Sequence, residues 1–122
     1  MYHMQGLQGP YKLIGAEIHR VVPEKKPGAF AVGICDARGT FIPRVAGMSS
    51  NNIAARLCQE TEHHAYFKVR VTNSAKEAFN EWCFLYHLYC GDKKAALCTL
   101  EDPSHPQHPT EESWKCPVCH TR

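Results

Sequence analysis

The carboxyl-terminal segment places the strongest limit on what this chain can fold into. Residues 102–122 contain prolines at positions 103, 106 and 109, followed by WKCPVC, in which Cys116 and Cys119 are separated by two residues. Because proline lacks an amide donor and has a fixed φ angle, prolines at this spacing exclude a helix or a central strand. Two thiols at C-x-x-C spacing are typical of zinc-binding turns. We therefore predict that a zinc ion attaches this tail to the rest of the chain.

A tetrahedral zinc site needs two further ligands. Cys83 and His87 are four residues apart in a predicted helix and so share one face, and His105 lies in the proline-rich segment. The ligands that we predict are Cys116, Cys119, His87 and His105, with Cys83 as the alternate. A redox pair is the competing interpretation of C-x-x-C, but such a pair usually begins a helix after a strand. The proline-rich setting favours structural zinc.

The length of 122 residues suits one domain, with a core at 27–101 and a zinc-binding tail at 102–122. Seven cysteines, an odd number, and an amino end without a long apolar stretch argue against a secreted disulfide framework. We therefore expect reduced thiols and a cytoplasmic location. No apolar run approaches the roughly 18 residues of a membrane span, so we expect no membrane partner. A net charge of +2 neither indicates nor excludes a nucleic-acid partner.

Hydrophobic patterning predicts a small antiparallel sheet. Residues 29–36 and 40–47 flank a short glycine-containing connection, which predicts a β-hairpin. Residues 66–71 alternate between apolar and polar side chains, as a half-buried strand does. Residues 13–22, LIGAEIHRVV, are rich in β-branched side chains and predict a further strand. The extension before Pro27 could add an edge strand.

Capping signals predict helices around this sheet. Ser50 or Asn51 can cap one helix, and Ser74 with Glu77 forms a capping box at the start of the longest helix. A short helix is predicted over residues 92–101. The fold class is therefore α+β: a small antiparallel sheet of three to four strands flanked by helices, with a zinc-stapled C-terminal tail.

Several of these segments together resemble a known family. Gly28-Ala29-Phe30 opens one strand, Val45-Ala46-Gly47 lies in the next, and a helix carrying Arg56 follows. This order resembles the GIY-YIG nuclease superfamily. The strand YFKVRVT, the helix AFNEWCFLYH and the tail HPQHPTEESWKCPVC resemble the YFKF, AF..EC.LYH and HP..P....WKCP.C segments of one branch. The resemblance extends from about residue 27 to residue 119 and is more specific in the second half.

The resemblance implies a three-stranded antiparallel sheet surrounded by helices and a chemistry of phosphodiester hydrolysis. In the superfamily, the tyrosines of the two tripeptides, the helix arginine and a later helix glutamate form the site. The glutamate holds a divalent ion, usually magnesium, which neutralises charge that develops during the reaction. The arginine binds the phosphate.

Position by position, this sequence retains little of that set. The tyrosine positions hold Phe30 and Val45, and the glutamate position holds Trp82. Glu81 is adjacent, but one residue is about 100° of rotation around a helix, so we expect its side chain to point elsewhere. Arg56 matches the family arginine. We therefore expect a pseudoenzyme that keeps the architecture and has lost most of the chemistry.

The function that we favour is a catalytically inactive or weakened nuclease-like domain that binds nucleic acid or a protein. The predicted nucleic-acid contacts are Arg44, Arg56, Lys68 and Arg70, with Tyr66 available for base stacking. Zinc is the expected structural cofactor.

Two other functions are compatible with the sequence. One is an active, magnesium-dependent endonuclease with relocated groups, in which Glu81, Glu60 or Glu62 holds the ion. The other is a structural partner of a larger assembly. Its contact face would be formed by Trp82, Phe84 and Tyr86, although aromatic side chains clustered on one helix more often belong to a core.

Overall fold

The computed structural model describes residues 7–89, 100–101 and 117. These residues form four strands and three helices, and the predicted α+β class is confirmed. In chain order the elements are β1 (Gln8–Lys12), α1 (Gly15–Val21), β2 (Gly28–Cys35), β3 (Phe41–Ser49), α2 (Ile53–Cys58), β4 (Tyr66–Val71) and α3 (Ala75–Tyr89).

The four strands form one antiparallel sheet in the order β1-β4-β2-β3. The predicted hairpin is the β2–β3 pair, and β4 is the predicted alternating strand. Asp36 stabilises the hairpin turn, because its Oδ1 accepts the N–H groups of Arg38 at 2.8 Å and Thr40 at 3.0 Å. The amino-terminal extension adds the edge strand β1 beside β4, as the sequence suggested.

The prediction of a strand at residues 13–22 is wrong, because this segment forms α1. Ile18 and Val22, one helical turn apart, are both buried in the core. Glu17 and Arg20 form an ion pair across one turn on the outer side. Burial of this helical stripe therefore outweighs the strand preference of the β-branched side chains, which is only a weak bias.

The sheet lies between two helical layers. Helices α1 and α2 pack on the face that carries Phe30, Val32 and Phe67, and together they form the larger core cluster. Helix α3 packs on the opposite face, mainly over β2 and β3. The side chains of Ala29 and Ala31 on that face are small and fully buried, so the helix can approach the strands closely.

Capping side chains fix where α2 and α3 begin. The Ser74 hydroxyl accepts the Glu77 N–H at 3.1 Å, as a capping box at α3 predicts, and Glu77 Oε1 accepts the N–H of Asn73, one residue before the cap, at 3.2 Å. The cap of α2 is Asn52 rather than Ser50 or Asn51, since Asn52 Oδ1 accepts the Ala55 N–H at 3.2 Å.

The chain returns to the sheet after α3. Leu100 is buried, and the Glu101 N–H donates to the Arg44 carbonyl of the edge strand β3 at 2.6 Å. The predicted helix at 92–101 falls almost wholly outside the described residues, as does nearly all of the 102–122 tail. In the portion of the chain that the structure describes, the helices are too short or too polar to span a lipid bilayer.

Candidate functional site

A surface pocket of about 430 Å³ lies where the end of β3 meets α2 and α3. The strand contributes a run of small or flexible residues, and each helix contributes one large side chain. The described lining residues are Ala46, Gly47, Met48, Ser49, Ser50, Arg56 and Trp82. The pocket therefore contains Ala46 and Gly47 of the second tripeptide, the helix arginine and the helix position aligned with glutamate, all of which the sequence had singled out.

Arg56 is held in the pocket by two contacts. Its Nη1 donates to Glu60 Oε2 at 2.7 Å, one turn further along the chain. Its Cζ lies 4.8 Å from the centroid of the Phe30 ring, within the range of a cation–π interaction. The side chain is 32% exposed, so the guanidinium is positioned by the protein and still reaches solvent.

Phe30 lies directly beneath this arginine. The residue is fully buried and pairs with Gly47 across the β2–β3 hairpin. A Cβ atom on Gly47 would lie only 3.0 Å from the ring atoms Cε1 and Cζ of Phe30. The ring is thus in close contact with both Gly47 and Arg56, and a glycine at position 47 is what allows this stack to form.

Val45, the second substituted tyrosine position, belongs to the core. It pairs with Val32 on β2 and packs against the larger core cluster. The two tyrosine positions therefore supply apolar packing, and neither Phe30 nor Val45 carries a hydroxyl group.

Trp82 and Met48 form the apolar wall of the pocket. Both pack against the buried pair Phe79 and Cys83, and both line the pocket. The rings of Trp82 and Phe79 meet edge to face, with centroids 6.4 Å apart and planes at 89°. The indole is therefore supported from behind by the core while part of it remains accessible.

Glu81 points away from this pocket, as the rotation between adjacent helical residues predicts. It is fully buried, and its Oε1 lies 3.5 Å from Nε of Arg70 on β4. A buried carboxylate is costly unless a cation and hydrogen bonds compensate it. The Arg70 guanidinium supplies a cation beside this carboxylate beneath α3.

The four cations predicted to contact nucleic acid lie in three different places. Arg56 lines the pocket, whereas Arg44 is exposed on the edge strand. Lys68 and Arg70 lie on the sheet face that α3 covers; Lys68 Nζ is 5.3 Å from the Phe41 ring centroid, and Arg70 pairs with Glu81. The structure thus brings Arg56 to the pocket and directs the other three elsewhere.

The predicted zinc ligands fall mostly outside the described residues, namely His105, Cys116 and Cys119. Among residues 7–89, 100–101 and 117, no group of three or more His, Cys, Asp or Glu side chains could hold a metal ion. His87 is half-buried near the end of α3, with its ring 5.0 Å from that of Tyr86. Cys83 is fully buried against Phe79, and its role as the alternate ligand stays a prediction.

Two features of the site were not predicted from the sequence. Ser49 lines the pocket, and its hydroxyl accepts the Asn52 N–H at 3.0 Å, which fixes the turn that leads into α2. The run of short polar residues at 49–52 was the available signal for such a turn. The stack of Arg56 on Phe30 has no sequence signal, because it depends on the pairing register of two strands.

Comparison of the chain with family models, with curated proteins and with solved structures gives no match. The functional argument therefore rests on the geometry and chemistry of the pocket.

Proposed function

We propose that this domain is a GIY-YIG nuclease-like scaffold that binds nucleic acid at the pocket around Arg56 and does not cleave it. One observation carries the proposal. The pocket combines an arginine with an accessible indole, and none of its described lining residues has a carboxylate. A cation and an aromatic surface side by side match the phosphate and the base of a nucleotide.

The chemistry of Arg56 supports binding of a phosphate. A guanidinium has five N–H donors, and the contact with Glu60 at 2.7 Å requires one of them. The remaining donors have the planar geometry that binds two phosphate oxygens at once. The hydroxyls of Ser49 and Ser50 line the same pocket and add neutral hydrogen-bonding groups. Contact with the Phe30 ring keeps the guanidinium in place before a ligand arrives.

The identity of the neighbouring residues argues against hydrolysis. Cleavage of a phosphodiester needs a group that activates or orients water and a carboxylate that holds the metal ion. Phe30 and Val45 cannot act on water, and Trp82 cannot hold a cation through oxygen. Glu81 is directed to Arg70, and Glu60 already accepts a hydrogen bond from Arg56. The described residues of this pocket therefore do not fit a magnesium ion, and we derive no reaction step through one.

The experiment that tests the proposal compares binding and cleavage in one set of proteins. Binding of a fluorescent oligonucleotide is measured by anisotropy, and nicking of supercoiled DNA is measured with magnesium. We expect the Arg56→Ala variant to bind at least about tenfold more weakly, because a charge-assisted contact to phosphate contributes about 1.5–3 kcal/mol. We expect no nicking by any variant.

Arg20→Ala is the matched control. Arg20, like Arg56, is an arginine on a short helix that forms an ion pair with a glutamate one helical turn away. It lies on α1 and is not among the pocket residues. Equal binding by Arg56→Ala and Arg20→Ala would refute a role for the pocket. Magnesium-dependent nicking that disappears in Arg56→Ala would establish the active endonuclease instead.

We also propose that a zinc ion attaches the tail through Cys116, Cys119, His87 and His105. The described residues nearest the tail support this arrangement. Buried Leu100 and the hydrogen bond from Glu101 to Arg44 anchor the chain at β3 immediately before residue 102. His87 lies near the end of α3, the helix that packs on the same strand.

A further inference from the structure

We infer that the pocket receives a single unstacked nucleotide of a single-stranded nucleic acid, with its base against Trp82 and its phosphate at Arg56. This inference rests on the proposed nucleic-acid binding and adds the strand state of the ligand. The two residues come from different helices, α3 and α2, and line one pocket across the end of β3.

The two sides of the pocket differ in chemistry in the way that the two parts of a nucleotide differ. Met48 and Trp82 provide a flat, apolar side that is backed by Phe79 and Cys83. Arg56 provides a positive charge whose position is fixed by Glu60 and Phe30. A base can stack on the indole while the phosphate of the same nucleotide meets the guanidinium.

Stacking of a base on the Trp82 indole favours single strands over duplexes. In a duplex, both faces of each base are covered by neighbouring bases, and a side chain can stack on a base only after that base leaves the helix. The pocket volume of about 430 Å³ lies near the lower end of the roughly 300–1,000 Å³ typical of small-molecule sites. Such a pocket suits one nucleotide and is too small for a stretch of duplex.

The described pocket offers little means to distinguish one base from another. Its polar side chains are Ser49, Ser50 and Arg56, and the remaining lining is apolar or glycine. Every base has a π face, so stacking on Trp82 tolerates all of them. We therefore expect weak base preference. We also expect that Arg56→Ala makes the affinity less dependent on salt concentration, by the amount that one phosphate contact contributes.

The test measures binding of three ligands by the whole chain. The first is a labelled single strand of about ten nucleotides, within the site sizes of single-strand binders; the second is the same sequence as a duplex. A nucleoside monophosphate is added as the third, unlabelled ligand. The variants are Trp82→Leu, which removes the aromatic surface, Trp82→Phe, which retains one, Arg56→Ala, and Arg20→Ala as the control.

The expected pattern separates stacking from charge. Trp82→Leu weakens binding of the single strand at least about fivefold and leaves the slope of log affinity against log salt unchanged. Trp82→Phe stays within about threefold of the parent chain. Arg56→Ala lowers the magnitude of that slope by about 0.7. The parent chain binds the single strand more tightly than the duplex. The monophosphate, added at the same concentration as the labelled single strand, does not displace it.

A second measurement applies if Trp82→Leu does not fold. The chain has two tryptophans, so Trp114→Phe leaves Trp82 as the sole tryptophan, and stacking of a base should quench its fluorescence. Absence of quenching at saturating oligonucleotide would overturn the inference. Competition by the monophosphate at equal concentration would also overturn it, because the pocket would then be a free-nucleotide site.

The outcomes also separate this inference from the proposed function. If the duplex binds as tightly as the single strand and Arg56→Ala weakens both, the strand preference is refuted and nucleic-acid binding at Arg56 stands. If no oligonucleotide binds, or if Arg56→Ala binds like Arg20→Ala, both proposals are refuted.

Discussion

The buried ion pair between Arg70 and Glu81 shows how a shift of one position along α3 changes the surroundings of a carboxylate. Glu81 is adjacent to the helix position where the resemblance expects a metal-binding glutamate. One residue further along α3, Trp82 faces the pocket, while Glu81 is fully buried beside Arg70. The Glu81 carboxylate is therefore paired with a cation of the sheet beneath α3 and is not among the described residues that line the pocket.

We predict that Arg70→Met lowers the free energy of unfolding by about 3 kcal/mol, because it leaves a buried carboxylate without its cation. Urea denaturation measures this change. The control is Lys68→Met, which removes the same charge two residues away on the same strand face. The Lys68 ammonium lies over the Phe41 ring, and we expect Lys68→Met to lower the free energy of unfolding by about 1 kcal/mol or less.

The double variant Arg70→Met with Glu81→Gln should recover part of the lost stability, because the buried negative charge is then absent. If Arg70→Met costs no more than Lys68→Met, the ion pair is not a stabilising contact of the folded chain.

Single-residue reasoning identified the important positions of the pocket but not their contacts. Arg56 and the Trp82 position follow from the order of segments along the chain. The stack of Arg56, Phe30 and Gly47 depends on register, because Phe30 must pair with Gly47 rather than with a residue that has a side chain. A shift in the β2–β3 pairing leaves Arg44 as the extra residue, and hydrophobic alternation alone does not locate such a bulge.

Among the elements, sequence patterns succeeded where one periodicity dominates. The β2–β3 hairpin, the alternating strand β4 and the capped helix α3 were all predicted. Helix α1 was missed because Ile18, Val21 and Val22 satisfy a helical period while their β-branched side chains favour strands. Only burial in the larger core cluster decides between helix and strand here, and a short segment of sequence does not show which residues will be buried.

The start of α2 offers a prediction on the scale of one element. Asn52 Oδ1 accepts the N–H of Ala55 at 3.2 Å and also that of Lys25 at 3.3 Å, so it caps the helix and ties it to the loop before β2. We expect Asn52→Ala to lower the free energy of unfolding by about 1–2 kcal/mol, as measured by urea denaturation.

Ser50→Ala is the matched control, since Ser50 is an exposed polar residue two positions earlier in the same turn. We expect it to change the free energy of unfolding by less than about 0.5 kcal/mol. Equal effects of the two substitutions would place the cap at neither residue. A shifted α2 would also move Arg56, so Asn52→Ala should weaken oligonucleotide binding.

On the scale of the whole molecule, the described contacts explain how the sheet and three helices hold together but not how the tail is attached. The last described contacts before the tail are the burial of Leu100 and the hydrogen bond from Glu101 to β3. Beyond this point the proline-rich composition provides few apolar side chains for a core of its own. A metal ion would supply the missing stabilisation, because metal binding contributes directly to the free energy of folding.

We predict one zinc ion per purified chain, measured by elemental analysis, and a lower melting temperature after chelation. Cys116→Ser and His87→Ala should lose the metal, because each removes a predicted ligand. Cys83→Ala should keep it, since the Cys83 side chain is fully buried in the apolar cluster with Phe79. Cys35→Ala, a half-buried thiol on β2, is the control for the loss of any cysteine. Zinc loss in Cys83→Ala but not in His87→Ala would show that Cys83, and not His87, is the zinc ligand on α3. A folded chain without zinc would refute the metal attachment altogether.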